Sequence, residues 1–340
     1  MHACSAGLCA GAQVFLLGAG AAIPLCGNSA WIAALSAIPA SALMAAIARR
    51  KIAAGVPSLT GCFFLFAACF LHAAFTCASL TVLAEQSLLP QARAIHIAAM
   101  TVLFAALIAA GGKGSMRLCF LLRYALPAIL LLSSFFIMPD RDLTGVFPLL
   151  GRGGGWLLAA AAMMTTGAFP LALLLLPPEE IREAGDAYAA LPGAGFFARR
   201  AAAGAAVGCA LLFILCAGNT PEALAGEGVW GSRLLMIAGV SAHQGLFDTL
   251  ALLAMTAAAA LYASQMLACC ASAIRFALPR KGKGSAALIL SAAMLMAVLL
   301  TLSALGFDFA LLFPLSAAPA ALIALTGKPR NRKEKEGLPS

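Results

Sequence analysis

The stretch VPSLTGCFFLFAACFLHAAFTCASLTVL, residues 56–83, decides the fold class of this chain. It carries no Lys, Arg, Asp or Glu along its whole length. A transmembrane helix needs about 20 predominantly apolar residues to cross the hydrocarbon core, so this run is long enough to span a bilayer. Because it is continuously apolar and does not alternate between apolar and polar residues, it predicts a helix and not a barrel strand.

The rest of the chain has the same character. Hydrophobic residues make up 63% of the sequence, charged residues only 10%, and the mean hydropathy is +0.98. A soluble domain typically carries about 25% charged residues, so a soluble fold is excluded. Nine further apolar runs bring the predicted spans to ten, at residues 7–26, 30–48, 94–111, 118–138, 153–178, 201–217, 246–274, 285–305 and 307–326. We predict one all-α transmembrane domain over 1–327 and a basic tail over 328–340.

The positions of the basic residues predict the orientation, because short loops rich in Lys and Arg stay on the cytoplasmic side. With the N-terminus inside, ten spans place all but four of the 22 basic residues in cytoplasmic segments, the exceptions being Arg93, Arg141, Arg152 and Arg233. One span more or fewer would move the later basic loops to the opposite side of the membrane, and the basic residues would no longer lie on one side. We therefore predict a multi-pass protein of the cell membrane with both termini in the cytoplasm.

The net charge of +9 is then explained by the basic residues that hold the predicted cytoplasmic segments on their side of the membrane. It gives no reason to expect nucleic acid as a partner, whereas membrane lipids with anionic head groups are suitable partners for the basic tail. The eleven cysteines form no CxxC pair, and the sequence has no P-loop, HExxH motif or nucleophile elbow. We expect no enzyme activity, no catalytic residue, no metal site and no cofactor.

Two spans contain residues that interrupt helices. Span 1 reads LLGAGAAIPLCG and includes Gly18, Gly20 and Pro24, while span 6 reads MMTTGAFPLALLLL over residues 163–176. The interrupting region of span 6 comprises Thr165, Thr166, Gly167, Phe169 and Pro170. Unwound backbone at membrane depth survives only where it is buried or lines a cavity. The alternative is that these residues only kink their helices, since Gly and Pro are common in membrane spans.

Breaks in the first and sixth of ten spans predict a five-plus-five inverted-repeat, LeuT-like transporter fold. Repeat one would cover about 7–138 and repeat two about 153–326. In such folds the broken helices hold a small ligand near the middle of the membrane. The ten residues that we expect at the ligand-binding site comprise those of the two breaks, together with His72 in span 3 and Asp248 at the start of span 8.

His72, Asp248 and the two threonines each have a second interpretation. Asp248 either enters the membrane, at a cost of about 3 kcal/mol on insertion scales, or lies in water at the outer helix end. His72 either contacts a ligand or forms an interhelical hydrogen bond. Thr165 and Thr166 either face the ligand or bond back to their own helix.

Four segments resemble the spore-germination permeases, which form the B subunit of nutrient germinant receptors within the amino acid/polyamine/organocation superfamily. NSAWIAALSAIP (28–39) resembles the start of that family's second helix, and GGKGSMRLCFLLRYALPAILLL (111–132) its entry into the fifth. MPDRDLTGVFPLLGRGGGWLL (138–158) resembles the loop between helices 5 and 6, and GLFDTLALLAMTAAAALYASQML (245–267) resembles helix 8. The chain departs from the family where an acidic residue would follow the break in span 6 and where a basic residue would precede Asp248.

The resemblance implies a germinant-receptor subunit in the spore inner membrane. Such a subunit would bind an amino acid or similar small nutrient, signal germination, and assemble with a cytoplasmic-domain A subunit and a lipoprotein C subunit. One alternative is an ion-coupled secondary amino acid transporter. A second is a scaffold subunit of a membrane complex that binds no ligand.

Overall fold

The fold of the chain is helical throughout the part that its computed structural model describes. The described residues are 2–54, 59–87, 91–111, 113–137, 153–167, 194–217, 245–277 and 284–305, with the single positions 149, 315, 318 and 319. No strand occurs among them. The prediction of an all-α chain is confirmed for this part of the sequence.

Eleven α-helices are described, and the first two are joined by a π-helical segment at Gln13–Gly18. The helices are α1 His2–Ala12, α2 Ala19–Cys26, α3 Ala30–Leu35, α4 Ala37–Ala54, α5 Leu59–Ser87, α6 Ala94–Ala110, α7 Lys113–Ile137, α8 Gly154–Gly167, α9 Ala194–Ala217, α10 Gly245–Ala277 and α11 Gly284–Ala304. A 3₁₀ turn at Gly27–Ser29 separates α2 from α3. Helices occupy nine of the ten predicted spans, while 307–326 lies almost wholly outside the described residues.

Several of these helices have the length and composition of membrane spans. Four helices qualify alone, over Leu59–Glu85, Gly195–Ile214, Leu252–Arg275 and Ser285–Ala304. A fifth span is formed if the helical pieces Ala22–Leu35 and Ala37–Ala46, bent by 47°, are counted together. Shorter apolar helices cover Ala94–Ala110, Phe120–Leu132 and Gly154–Thr165. The chain is thus a helical, membrane-embedded protein.

Helices α5 and α10 form the centre of the described structure. In their apolar stretches 72% and 78% of the residues are buried, against 28% in α11. Large apolar side chains instead face outward from the peripheral helices, among them Leu107, Leu121, Leu158 and Ile289, each more than half exposed. Such a surface would be unfavourable in water but suits contact with acyl chains.

Contacts between helices give their relative directions. Along the α5–α10 interface, Phe66 contacts Cys270 and His72 contacts Tyr262, so the two helices run antiparallel. Along α1 and α9, Gly7 lies at Arg200 and Gly204, while Gly11 lies at Gly204 and Gly208, so these two helices run parallel. In α3, Trp31 packs on Phe213 and Ala34 accepts a bond from Cys209, so α3 runs antiparallel to α9. The chain therefore reverses direction between α1 and α3.

The α1–α9 contact depends on glycine. A Cβ on Gly204 would collide with the backbone carbonyl of Gly7, and one on Gly208 would lie 2.8 Å from the carbonyl oxygen of Gly11. Gly7 and Gly11 are four residues apart, as are Gly204 and Gly208, which is the spacing of the GxxxG motif that lets membrane helices approach closely. Any side chain at these positions would force the two helices apart.

Candidate functional site

The irregular part of span 1 precedes the position that the sequence predicts. Residues 19–26 form a regular α-helix that contains both Gly20 and Pro24, so unwinding over Gly18–Pro24 is not observed. A membrane helix tolerates an internal proline because only one backbone donor is lost and neighbouring groups compensate. The distortion lies one turn earlier, in the π-helical segment Gln13–Gly18. Single-turn π segments within α-helices are frequent at functional sites.

Gln13 is the first residue of this π segment and was not among the residues predicted from the sequence. Its side chain is 3% exposed, and neither Nε2 nor Oε1 has a hydrogen-bond partner among the described residues. A buried amide without partners costs about 1–3 kcal/mol, so such a group needs an explanation. A lone glutamine within the otherwise apolar run 7–26 is the sequence signal that could have identified it.

The structure brings spans 1 and 6 together. A Cβ added to Gly18 would collide with Sδ of Met164 in α8 and would lie 2.8 Å from its Cε. Helix α2 also packs along α8. Gly18 therefore acts as a contact point between the two spans, its backbone remaining helical at φ −65°.

Thr165, one residue beyond Met164, joins span 6 to span 2. Its Oγ1 lies 2.8 Å from the carbonyl oxygen of Ala161 and 3.1 Å from Oγ of Ser36. Ser36 Oγ in turn lies 2.7 Å from the carbonyl oxygen of Ala33 and 3.0 Å from that of Ala161. The 47° bend between Leu35 and Ala37 falls at this serine, whose hydroxyl competes for backbone acceptors. The hydrogen bond from Thr165 back to its own helix, which we considered above, is therefore present. Thr165 also contacts Ser36 of span 2.

His72 lies at the centre of the bundle and is fully buried. Its Nδ1 is 2.7 Å from the hydroxyl oxygen of Tyr262 in α10, and the tautomer of the histidine decides which of the two donates. The interhelical hydrogen bond that we considered for His72 is thus present. Tyr262 is also close enough to Cys9 of α1 for an electrostatic interaction. Gln13 lies about one turn beyond Cys9 along span 1, and the π segment that it begins packs against α8, α9 and α10.

The remaining predicted residues are placed as follows. Thr166 and Gly167 belong to the last turn of α8, whereas Phe169 and Pro170 lie outside the described residues. Asp248 lies in the first turn of α10, ahead of the apolar stretch that begins at Leu252. The structure therefore describes the contacts of Gly18, His72 and Thr165, and the helical positions of Gly20, Pro24, Thr166, Gly167 and Asp248.

Spans 1, 3, 6 and 8 contribute four polar groups, which we call the central polar groups: the amide of Gln13, the imidazole of His72, the hydroxyl of Thr165 and the phenol of Tyr262. His72 and Tyr262 are bonded to each other, whereas Thr165 is bonded to Ser36 of span 2. An amide offers both an acceptor and two donors, and the other three groups can each donate or accept. Among the described residues no group of three or more His, Cys, Asp or Glu is placed to hold a metal ion. This set of uncharged polar groups is suited to binding by hydrogen bonds.

No protein-family model matches this chain, and no curated protein is recognisably similar to it in sequence.

Proposed function

We propose that this chain is the membrane subunit of a spore nutrient-germinant receptor, with ten spans arranged as two inverted repeats around a site for an amino acid or similar small nutrient. The ligand lies between the π segment of span 1, α5, α8 and α10. Binding shifts the packing of spans 1 and 6 against the α5–α10 centre, and A and C subunits convey the signal. The four sequence segments that resemble the germination permeases motivate this identification.

The pattern of helix contacts supports the two repeats, because it is largely preserved when span n is exchanged with span n+5. The contact of α1 with α9 corresponds to that of α3 and α4 with α8, and α5 with α6 corresponds to α10 with α11. The contact of α5 with α11 corresponds to that of α10 with α6. Four pairs of spans are unchanged by this exchange, because their members are five spans apart, and in all four pairs the helices pack together. These pairs are α2 with α8, α3 and α4 with α9, α5 with α10, and α6 with α11.

Helix directions support the same order of spans. In a ten-span chain, spans 1 and 7 run the same way, whereas spans 3 and 8 run in opposite directions, as do spans 2 and 7. The parallel packing of α1 with α9 and the antiparallel packing of α5 with α10 and of α3 with α9 follow this rule. A repeat of five spans, an odd number, inverts its second copy relative to the membrane.

The buried amide of Gln13 is the single observation that carries the ligand-binding proposal. Its Oε1 can accept a hydrogen bond from an α-ammonium group while Nε2 donates one to an α-carboxylate, so one side chain matches both ends of an amino acid. Such a ligand would supply the partners that the amide lacks among the described residues. A neutral pocket of this kind also fits a span 6 without an acidic residue.

The test compares Gln13→Met with the unaltered chain in nanodiscs, using each of the twenty labelled amino acids as the probe. We expect saturable binding of at least one amino acid and a loss of at least tenfold in its affinity in the variant. Without ligand, the variant should unfold at a higher temperature, because an unsatisfied buried amide has been removed.

Gln265→Met is the matched control, because Gln265 is also buried in the central bundle, at 4% exposed, but has a partner. This substitution should lower the thermal stability. A Gln13→Met chain that unfolds at a lower temperature and still binds the amino acid would show that Gln13 has a structural role only. Absence of saturable binding for every probe would favour the scaffold alternative.

Transport is distinguished from sensing by flux. Proteoliposomes that bind the amino acid but do not accumulate it under a proton or sodium gradient support the receptor. Gradient-driven uptake that is abolished by substitution at Gly20 or Gly167 would establish the transporter alternative instead. In the source organism, deletion of the gene should slow germination in response to that amino acid and leave vegetative growth unchanged, and the chain should co-purify with A and C subunits.

A further inference from the structure

A groove of about 450 Å³ lies between α1, α7 and α9, apart from the central polar groups. Its volume is within the range of about 300–1,000 Å³ that is typical of small-molecule sites. The lining residues come from α1 and the following π segment between Gly7 and Phe15, from α7 between Arg123 and Leu131, and from α9 between Arg200 and Leu211, with Ala258 of α10.

The lining of the groove combines a long apolar surface with two cations. Arg123 and Arg200 both line it, and the lining residues that the structure describes include no Asp or Glu. The guanidinium carbon of Arg123 lies 3.8 Å from the centre of the Phe120 ring, and that of Arg200 lies 5.3 Å from the Phe196 ring. Cation–π contacts of this kind orient a guanidinium, which presents N–H donors in a planar fork that matches a phosphate.

The groove opens toward the outer surface of the bundle. Tyr124, Leu131, Ala128 and Ala203 line it and are exposed, Tyr124 by 63%. An exposed face of a membrane-embedded bundle meets lipid, so an occupant can enter sideways from the bilayer. An arginine near hydrocarbon is costly unless an anion or water compensates it, and a phosphate accepts two parallel N–H bonds from a guanidinium.

The directions of the helices place both arginines toward the same end of the groove. Helices α1 and α9 run parallel, with Gly7 against Arg200. In the proposed ten-span topology α7 runs the same way, and in both α7 and α9 the arginine is the first lining residue. That end is cytoplasmic in the predicted orientation, since all three spans begin inside. Leu130, Val207 and Leu211 follow deeper in the membrane.

We propose that this groove is a binding site for one anionic phospholipid of the cytoplasmic leaflet. The phosphate lies between Arg123 and Arg200, and an acyl chain runs along the apolar wall beyond them. The lipid contacts α1 and Phe15 of the following π segment, and its occupancy stabilises the packing of α1 against α7 and α9. The site rests on the proposed topology but not on the identity of the nutrient.

The experiment measures lipid binding by native mass spectrometry and thermal unfolding of the full chain in neutral detergent. The additives are dioleoyl phosphatidylglycerol, dioleoyl phosphatidylcholine and inorganic phosphate. We expect phosphatidylglycerol alone to raise the unfolding temperature and to remain bound with a stoichiometry of one. Combined substitution Arg123→Gln and Arg200→Gln should weaken this binding at least tenfold.

Two matched controls separate the groove from general effects. Arg199→Gln removes a neighbouring exposed cation that does not line the groove, and it should leave lipid binding unchanged. Ala203→Phe should fill the groove and abolish binding without a change in charge, whereas Ala206→Phe, at an exposed position outside the lining, should have no effect.

Equal stabilisation by both phospholipids would overturn the proposal, as would an equal loss of binding in the Arg199→Gln chain. A shift produced by inorganic phosphate alone would identify a free-anion site instead. Amino acid binding is measured separately with the Gln13→Met chain, so failure of the lipid site and failure of the nutrient site are distinguishable.

Discussion

At the scale of single residues, the glycines of this chain have different roles although the sequence presents them alike. Gly18 faces the flexible end of the Met164 side chain, so a methyl group there can be accommodated by rotation of that side chain. Gly204 faces the backbone of Gly7, which cannot move without displacing α1 as a whole. Gly195, in the first turn of α9, has nothing within 4 Å of its Cβ position.

Gly204→Ala should therefore destabilise the chain by about 2 kcal/mol or more, since overpacking against rigid backbone costs about 1–3 kcal/mol or occasionally more. Gly195→Ala is the control in the same helix and should be neutral or stabilising by up to about 1 kcal/mol, because alanine favours the helix. Gly18→Ala should fall between them. Reversible unfolding in mixed detergent measures all three, and equal effects of Gly204→Ala and Gly195→Ala would contradict the close approach.

The hydrogen bond between His72 and Tyr262 gives a second prediction at this scale. Tyr262→Phe should destabilise the chain by about 1 kcal/mol, because hydrogen bonds between membrane helices are worth about 0.6 kcal/mol on average and the imidazole is left with one bond fewer. In a double-mutant cycle, Tyr262→Phe should cost less once His72 is replaced by Phe. Tyr124→Phe, at the exposed surface, should change stability by less than about 0.5 kcal/mol. Additive effects in the cycle would argue against the bond.

At the scale of elements, contacts between helices determine the register in which each helix packs along its neighbour. The hydropathy of the sequence does not predict this register. Apolar residues occur on every side of helices α5 and α10, and the register of the pair is set by hydrogen bonds such as the one between Cys270 and the carbonyl of Phe66. The nine cysteines whose side chains the structure describes are buried and form no disulfide with one another, and Cys69 and Cys269 interact across this interface. This burial is typical of cysteine used as a small apolar residue.

Cross-linking tests the register of α5 and α10 directly. In a chain with every other cysteine replaced by alanine, Cys69 and Cys269 should be joined efficiently by dibromobimane, and peptide mass spectrometry should recover the linked pair. A chain that retains only Cys62 and Cys269 is the control and should react poorly, because Cys62 lies about two helical turns from Cys69 along α5. Preferential linkage of Cys62 would require a different register or a parallel arrangement.

At the scale of the whole molecule, the arrangement of the helices follows from the absence of a hydrophobic driving force between them in lipid. Lipid-facing and buried residues are equally apolar, so association depends on close backbone contact and on polar groups. The glycine contact of α1 with α9 and the hydroxyl contact of Ser36 with Thr165 are examples. Both link one predicted repeat to the other.

The ten-span topology predicts which loops a membrane-impermeant reagent can reach. In a cysteine-free chain, Gln91→Cys lies in the exposed turn before α6 and should react with an impermeant maleimide in intact cells. Arg199→Cys, which is exposed near the start of α9, should react only after the membrane is permeabilised. The same behaviour of both positions in intact cells would contradict the assigned sides.

The sequence by itself determined the helical membrane class and the approximate positions of the described helices, because hydropathy and charge are local properties of the sequence. It also identified span 1, span 6 and His72 as candidate parts of a ligand-binding site. Glycine and proline were weaker guides, since Pro24 is accommodated within the regular helix α2 while the irregular turn begins at Gln13.

Only the tertiary structure decided which residues meet. Tyr262 is 190 positions from His72 in the chain, and Ser36 is 129 positions from Thr165. Neither partner can be recognised from the composition of its helix, because apolar residues occur on the faces that meet lipid as well as on those that meet protein. For the same reason the amide of Gln13 became informative only when packing showed it buried without a partner among the described residues, which hydropathy does not report.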